Sequence, residues 1–259
     1  MKTIRLIMSL VCMCATISMA RPTDTLVRVS RDLPAFSEIE IQDGLEVVFT
    51  TGEFACTIES KPGNDVYVVT TVNKSVLTVR ASSLKFGTKV YLSAPQLERV
   101  SINVAGVFTA ETPIMANDIL FELKGTATMR TAGVRARHVT IRQSGTTNFF
   151  DQGTILSTSI DAVLYGVGTM QFRSLGAKNI SLGIKGSGVL KVLESVTAPL
   201  LETVVNGLGG LHCEGLDVQQ TNAVLKGAGI IRLAGKTVSL QSKVAGLGVL
   251  NTDNLIIQR

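Results

Sequence analysis

Tryptophan is absent from the sequence, and only three tyrosines, six prolines and two histidines occur in 259 residues. Charged residues are also scarce, at 17%, while 45% are hydrophobic. A disordered chain would be more polar and more charged. With only His138 and His212 there is no HExxH pair, and the sequence has no paired-cysteine motif and no Gly-x-Ser-x-Gly elbow. The usual signs of a metal centre or an activated nucleophile are therefore missing, and no metal or cofactor is expected. The net charge of +5 falls to +3 without Lys2 and Arg5. That is too weak to point to nucleic acid, and neither a basic run nor a binding motif accompanies it.

The first twenty residues have the pattern of a secretory signal. Lys2 and Arg5 supply a positive start, Leu6 to Ile17 an apolar stretch, and Ser18-Met19-Ala20 a small-x-small cleavage site before Arg21. The apolar stretch is too short to span a bilayer as a helix, and no second one in the mature chain is long enough. Val11 and Met13 precede Cys12 and Cys14, where a lipidated cysteine needs a small residue, so lipid anchoring is not expected. The expected location is outside the inner membrane: periplasm, cell surface or extracellular.

Glycine is abundant, with 24 residues, and it is periodic. Gly106, Gly125, Gly145, Gly166, Gly186, Gly207, Gly227 and Gly246 recur at intervals of 19, 20, 21, 20, 21, 20 and 19. Five of them extend to Gly-x-Gly, from Gly166-Val-Gly168 to Gly246-Leu-Gly248. Flanking residues keep the same phase. Six before the glycine stand Val100, Ile119, Val139, Ile160, Ile180, Leu201 and Leu240, with Thr221 as the exception. Two before it stand Val104, Leu123, Leu164, Ile184, Val205, Leu225 and Val244, with Gln143 as the exception. This alternation has the strand period of two. Each unit reads as strand, glycine corner, strand, loop. One such unit cannot bury its apolar face, but stacked units can. The predicted fold is therefore all-β: a single-stranded, right-handed parallel β-helix of about eight coils, with about 20 residues per coil.

Residues 21–96 lack the glycine phase but still read as β. Strands are predicted over 45–50, 55–60, 66–72, 76–81 and 89–93, with turns at Asp43-Gly44 and Lys61-Pro-Gly-Asn64. The expected organisation is a leader (1–20), an N-terminal region forming the opening layers or cap of the solenoid (21–96), and eight repeats (97–259). Cys56 and Cys213 then lie several coils apart. At about 4.8 Å per coil they are beyond disulfide reach, and two buried free thiols are expected.

The sequence resembles a family of exported, mainly Bacteroidetes proteins, the autotransporter adhesins with a head GIN domain. The resemblance rests on Phe36-Ser-Glu-Ile39, Gly44-Leu-Glu-Val-Val48, Leu77-Thr-Val79, Ser93-Ala-Pro95-Gln-Leu97 and above all the Gly-x-Gly ladder, and it covers roughly residues 32–259. Gly106, Gly125 and Gly145 depart from Gly-x-Gly. The resemblance implies a β-helical fold, export and an adhesive or surface role. It brings no catalytic residues.

Outward positions can be read from the repeat. Lys124, Lys185 and Lys226 stand just before a glycine anchor, and Arg130, Lys191 and Arg232 six residues later in the same coils. These six are the candidate ligand-binding residues, as basic patches for an acidic glycan. Charge placed outside for solubility, or against edge association, is the explanation the sequence favours. Asp161 and Glu202 fall two coils apart, a poor arrangement for a polysaccharide-degrading carboxylate pair. His212 and Cys213 should face opposite sides of their strand, which disfavours a Cys–His dyad. The expectation is a noncatalytic envelope or surface module. A glycan-binding protein is the alternative, and a polysaccharide-degrading enzyme the third. A cell-surface glycan or envelope protein is the expected partner, with homo-oligomers left open.

Overall fold

The computed structural model describes residues 25–83 and 87–258; the leader expected at 1–20 lies outside them. The chain forms strands β1 (Val27–Ser30), β2 (Glu38–Ile41), β3 (Glu46–Thr51), β4 (Ala55–Ser60), β5 (Val68–Asn73), β6 (Val76–Ala81) and β7 (Lys89–Ala94). It continues with β8 (Arg99–Ile102), β9 (Ala105–Ala110), β10 (Ile114–Met115), β11 (Asp118–Leu123), β12 (Thr126–Thr131) and β13 (Val134–Arg135). The long runs follow: β14 (His138–Leu156), β15 (Ser159–Gly176), β16 (Asn179–Gly186), β17 (Val189–Gly207), β18 (Gly210–Gly227) and β19 (Ile230–Ala245). The last two are β20 (Val249–Asn251) and β21 (Leu255–Ile257). Helix is limited to one 3-10 turn, Asp65–Tyr67, among the described residues. The architecture is a parallel β-solenoid of about eight turns, about 20 residues apart.

Stacking places like residues on like. Ile119, Val139, Ile160, Ile180, Leu201, Thr221 and Leu240 are consecutive register partners. All but Leu240 are buried. Each fully buried aliphatic side chain contributes about 1.5–3 kcal/mol, and the alternation of strand side chains supplies such columns on every face. Inside the early coils Phe121, Phe149 and Phe172 pack in series, with ring centroids 5.6 and 5.7 Å apart.

The coil has three faces rather than two. The first holds β2, β8 and β11, and the second holds β3, β9 and β12. The third is the short one begun by β10 and β13, where the sequence reading has a loop. Ile114, Val134, Ile155, Leu175, Val196 and Leu216 stack along it, all buried. Two or three residues suffice for a face when one of them is a buried aliphatic.

The first corner also corrects the sequence reading. Backbone with positive φ recurs there in one column: Val104 (73°), Gly125 (75°), Gly145 (89°), and so on to Gly246 (120°). Gly106 is not in that column. It pairs with Ala127, two residues past the corner, and Val104 takes the corner beneath Gly125. Val104 therefore does not point inward as its −2 position implied. It is 73% exposed, and Ile102, the partner of Leu123, fills the core instead. β14 and β15 run through this corner unbroken, β16 to β19 end at or beside its glycine, and in both cases the corner backbones of successive coils lie directly on one another. A Cβ at Gly207 would stand 2.4 Å from the carbonyl oxygen of Gly186. Glycine is needed there for space as well as for φ.

The two polar exceptions both turn out to be buried. Gln143 donates to Thr147 Oγ1 at 3.2 Å and to the Thr169 carbonyl at 3.3 Å, and Thr221 bonds the Thr237 hydroxyl at 3.1 Å. Asp151 is buried at the second corner, where Thr131 donates to its Oδ1 at 2.7 Å.

In the N-terminal region β2 and β3 pair in parallel with β8 and β9, and β6 and β7 lie parallel outside them. Beyond these the direction reverses. β5 pairs antiparallel with β6, while β4 joins β7 and β1 joins β4 in the same sense. Cys56 and Cys213 are buried and free.

Candidate functional site

Four of the six cations named from sequence come together. Lys185, Asn206 and Lys226 are register partners on three consecutive coils, just before the first corner. Lys191, His212 and Arg232 form a second column on the same coils, on the second face. Strand alternation points both columns outward, and coil stacking sets neighbours about 4.8 Å apart. Among the described residues no carboxylate oxygen lies within 4.0 Å of Lys185, Lys191, Lys226 or Arg232. Lys185 Nζ instead sits 5.1 Å from the Tyr165 ring centroid.

Lys124 and Arg130 are apart from this strip, three coils away, or about 14 Å. Lys124 is bound to Glu122 at 2.9 Å, and Arg130 lies over the Phe150 ring at 5.9 Å. Lys124 is thus neutralised locally, which a count of lysines along the repeat does not reveal.

His212, weighed from sequence only against a Cys–His dyad, stands between two of these cations. It is half-buried, and its pKa is held below the usual value by burial first, then by the Arg232 and Lys191 charges, with Glu214 acting in the opposite direction. The available signal was its place between Lys191 and Arg232 at the same repeat position. A bound anion would oppose both cations and favour the imidazolium.

Other groups are poorly arranged for chemistry. Burial pushes the Cys213 thiol up to about 12, so it carries negligible thiolate at neutral pH. Asp118, His138 and Ser159 are register partners on consecutive coils, with His138 Nδ1 2.7 Å from Ser159 Oγ. Arg137 engages both Asp118 oxygens, at 3.3 and 3.0 Å, and its hydrogen bond holds that carboxyl below its usual pKa. No group of three or more metal-ligating side chains is gathered among the described residues. No helix among them is long and apolar enough to cross a membrane.

Solved structures share this architecture. An adhesin of Parabacteroides merdae, so described provisionally, is 18% identical, with a TM-score of 0.75 over 88% of this chain and 96% of its own. A Parabacteroides distasonis protein described provisionally as lipid binding is 16% identical, with a TM-score of 0.75 over 88% and 97%. A Bacteroides fragilis adhesin, also a provisional description, is 16% identical, with a TM-score of 0.64 over 91% and 99%. At these identities the likeness establishes the fold alone. No protein of curated function matches the chain. The profile of the family described as "Putative auto-transporter adhesin, head GIN domain" matches residues 35–198, well over half of the sequence, and the chain belongs to that family.

Proposed function

We propose that this protein is a noncatalytic, exported module of the cell surface that adheres through its cationic strip to an acidic polysaccharide. The observation that carries the reading is the set of four cations without carboxylate partners, in two columns over three consecutive coils. Surface charge serving only solubility needs no such register, and several cations elsewhere, among them Arg99, Lys124, Arg137 and Arg173, sit in ion pairs. A strip of fixed spacing on a rigid scaffold suits a polymer with repeated charges, since each added contact is intramolecular. The adhesin family of the chain supports a surface role. The lipid-binding description of one neighbour lends only its fold at 16% identity.

Binding of the folded chain to immobilised alginate tests the reading. The wild type should be retained at low salt and released as salt rises, and Lys185→Glu with Lys226→Glu should abolish retention while leaving the melting temperature unchanged. Retention of the double variant equal to the wild type overturns the proposal. An enzymatic reading finds no support in Asp161 and Glu202, two coils apart on the first face.

A further inference from the structure

Between the two cationic columns runs the first corner, and its most prominent side chains are apolar. The residue just past the corner glycine is Val167, Ser187, Leu208, Ala228 and Leu247 on five successive coils. Val167, Leu208 and Leu247 are 56%, 68% and 90% exposed. The coils between them carry Lys185 with Lys191, and Lys226 with Arg232. Apolar tips thus recur every second coil, about 9.6 Å apart, and the intervening coils flank them with cations on both sides. Exposed Ile230 and Val249 widen the apolar row on the second face.

Single exposed aliphatic residues are ordinary on protein surfaces. An alternating row along one corner of the solenoid, interleaved with cations that lack carboxylate partners, is a different pattern. Binding to the polysaccharide uses the cations and leaves the apolar tips without a role. A surface that is anionic and has hydrocarbon just beneath the charge uses both: the tips enter the interface, and lysine and arginine reach the phosphates along their aliphatic stems. The backbone meets the requirement of such a surface that amides be satisfied internally. Along this edge Leu208 N–H donates to the Gly186 carbonyl, Ala228 N–H to that of Gly207 and Gly248 N–H to that of Gly227, at 3.0, 3.1 and 2.9 Å.

We propose that the first-corner ridge docks on the surface of an anionic phospholipid bilayer, its aliphatic tips in the interface and its cations on the headgroup phosphates. This rests on the reading of the strip as an anion-binding surface and goes beyond it: the cations that meet the polysaccharide also meet headgroup phosphates.

Absence of tryptophan supplies a clean probe. Leu208→Trp places the sole indole of the chain on the ridge. With phosphatidylcholine vesicles containing phosphatidylglycerol, its emission should shift to the blue and the protein should co-sediment. Pure phosphatidylcholine should give neither effect. Leu208→Ser with Leu247→Ser should lower vesicle partitioning about tenfold while leaving alginate retention intact, and Lys185→Glu with Lys226→Glu should remove both. Alginate binding without any blue shift or co-sedimentation overturns the bilayer assignment and leaves the adhesive reading standing. Loss of both in the wild type overturns both. Vesicle binding unaffected by the serine variant also overturns the ridge.

Discussion

The early coils and the late coils solve the same stacking problem with different chemistry. Around residues 99–151 three of the six cations are matched: Arg99 and Lys124 meet Glu122, and Arg137 meets Asp118. Val104 occupies a left-handed corner, and an interior column begins with Thr131 and Asp151. In the late coils Lys185, Lys191, Lys226 and Arg232 have no carboxylate partner, while Arg173 meets Glu194, and the first corner is always glycine. The same interior column continues as Phe172, Val192, Cys213 and Leu233. The difference lies in what the corner rests on. From Gly125 onward each corner glycine lies against the backbone carbonyl of the coil before it, where a Cβ has no room, whereas Val104 holds its side chain outside the turn. The late coils gain regularity and lose tolerance, and their uncommitted charge faces outward.

The largest test of this contrast is Gly207→Val. It gives a late corner the residue type that coil one carries, but against the Gly186 carbonyl and at a φ of 131°. A loss of about 3 kcal/mol or more is expected, read as failure to fold or a collapsed urea midpoint. Next is Asp151→Asn, which makes the early interior more like the late one. Burial raises the Asp151 pKa to about 6 from 3.8, against the hydrogen bonds from Thr131 and from the Gly153 and Gly133 backbone. A raised carboxyl pKa penalises the folded state above it. The wild type should therefore lose stability relative to the Asn variant as pH rises from about 4 to about 6. The gap at pH 7 is at most about 3 kcal/mol, and denaturation curves at pH 4 and 7 measure it.

Val104→Gly removes the strained early corner and should stabilise by about 1 kcal/mol, seen as a rise of a few degrees in Tm. Glu122→Gln should cost only a few tenths of a kcal/mol, because its partners are half exposed. The Lys124 hydrogen bond, with the Arg99 bond and both charges, holds the Glu122 pKa below its usual value. Its contribution is thus present above the ordinary carboxyl pKa and lost as pH falls through the lowered one.

Much of the fold was legible because glycine, aliphatic residues and strand alternation recur in phase. Gly106 misled because its neighbour Val104 is a residue type that seldom accepts a left-handed turn, so nothing marked it as the corner. The one sign was the first interval of 19, which becomes 21 when counted from Val104. The third face was equally available in the spacing of Ile114, Val134, Ile155, Leu175, Val196 and Leu216. It went unread because a phase centred on glycine treats that stretch as connection. Strand direction in the N-terminal region was not legible, since alternation is the same in parallel and antiparallel pairs. At the site, position gave the cations; their partners did not follow from it. Glu122 reaches Lys124 from two residues away, just past the end of β11, and only the fold brings Arg99 to that carboxylate.

The antiparallel strands around β5 and β6 have a consequence for assembly. Their turn at Lys74-Ser75 joins partners a few residues apart, whereas each later coil closes a loop of about twenty residues before its ladder forms. Short loops close first. The solenoid should nucleate at that end and lengthen coil by coil, each finished coil serving as template for the next. Amide exchange should accordingly be slowest in β6, β2 and β8 and quicken toward β20 and β21; uniform protection along the stack would count against this order. A molecule built this way has a growing end, and its length is set by how many times the chain repeats the step.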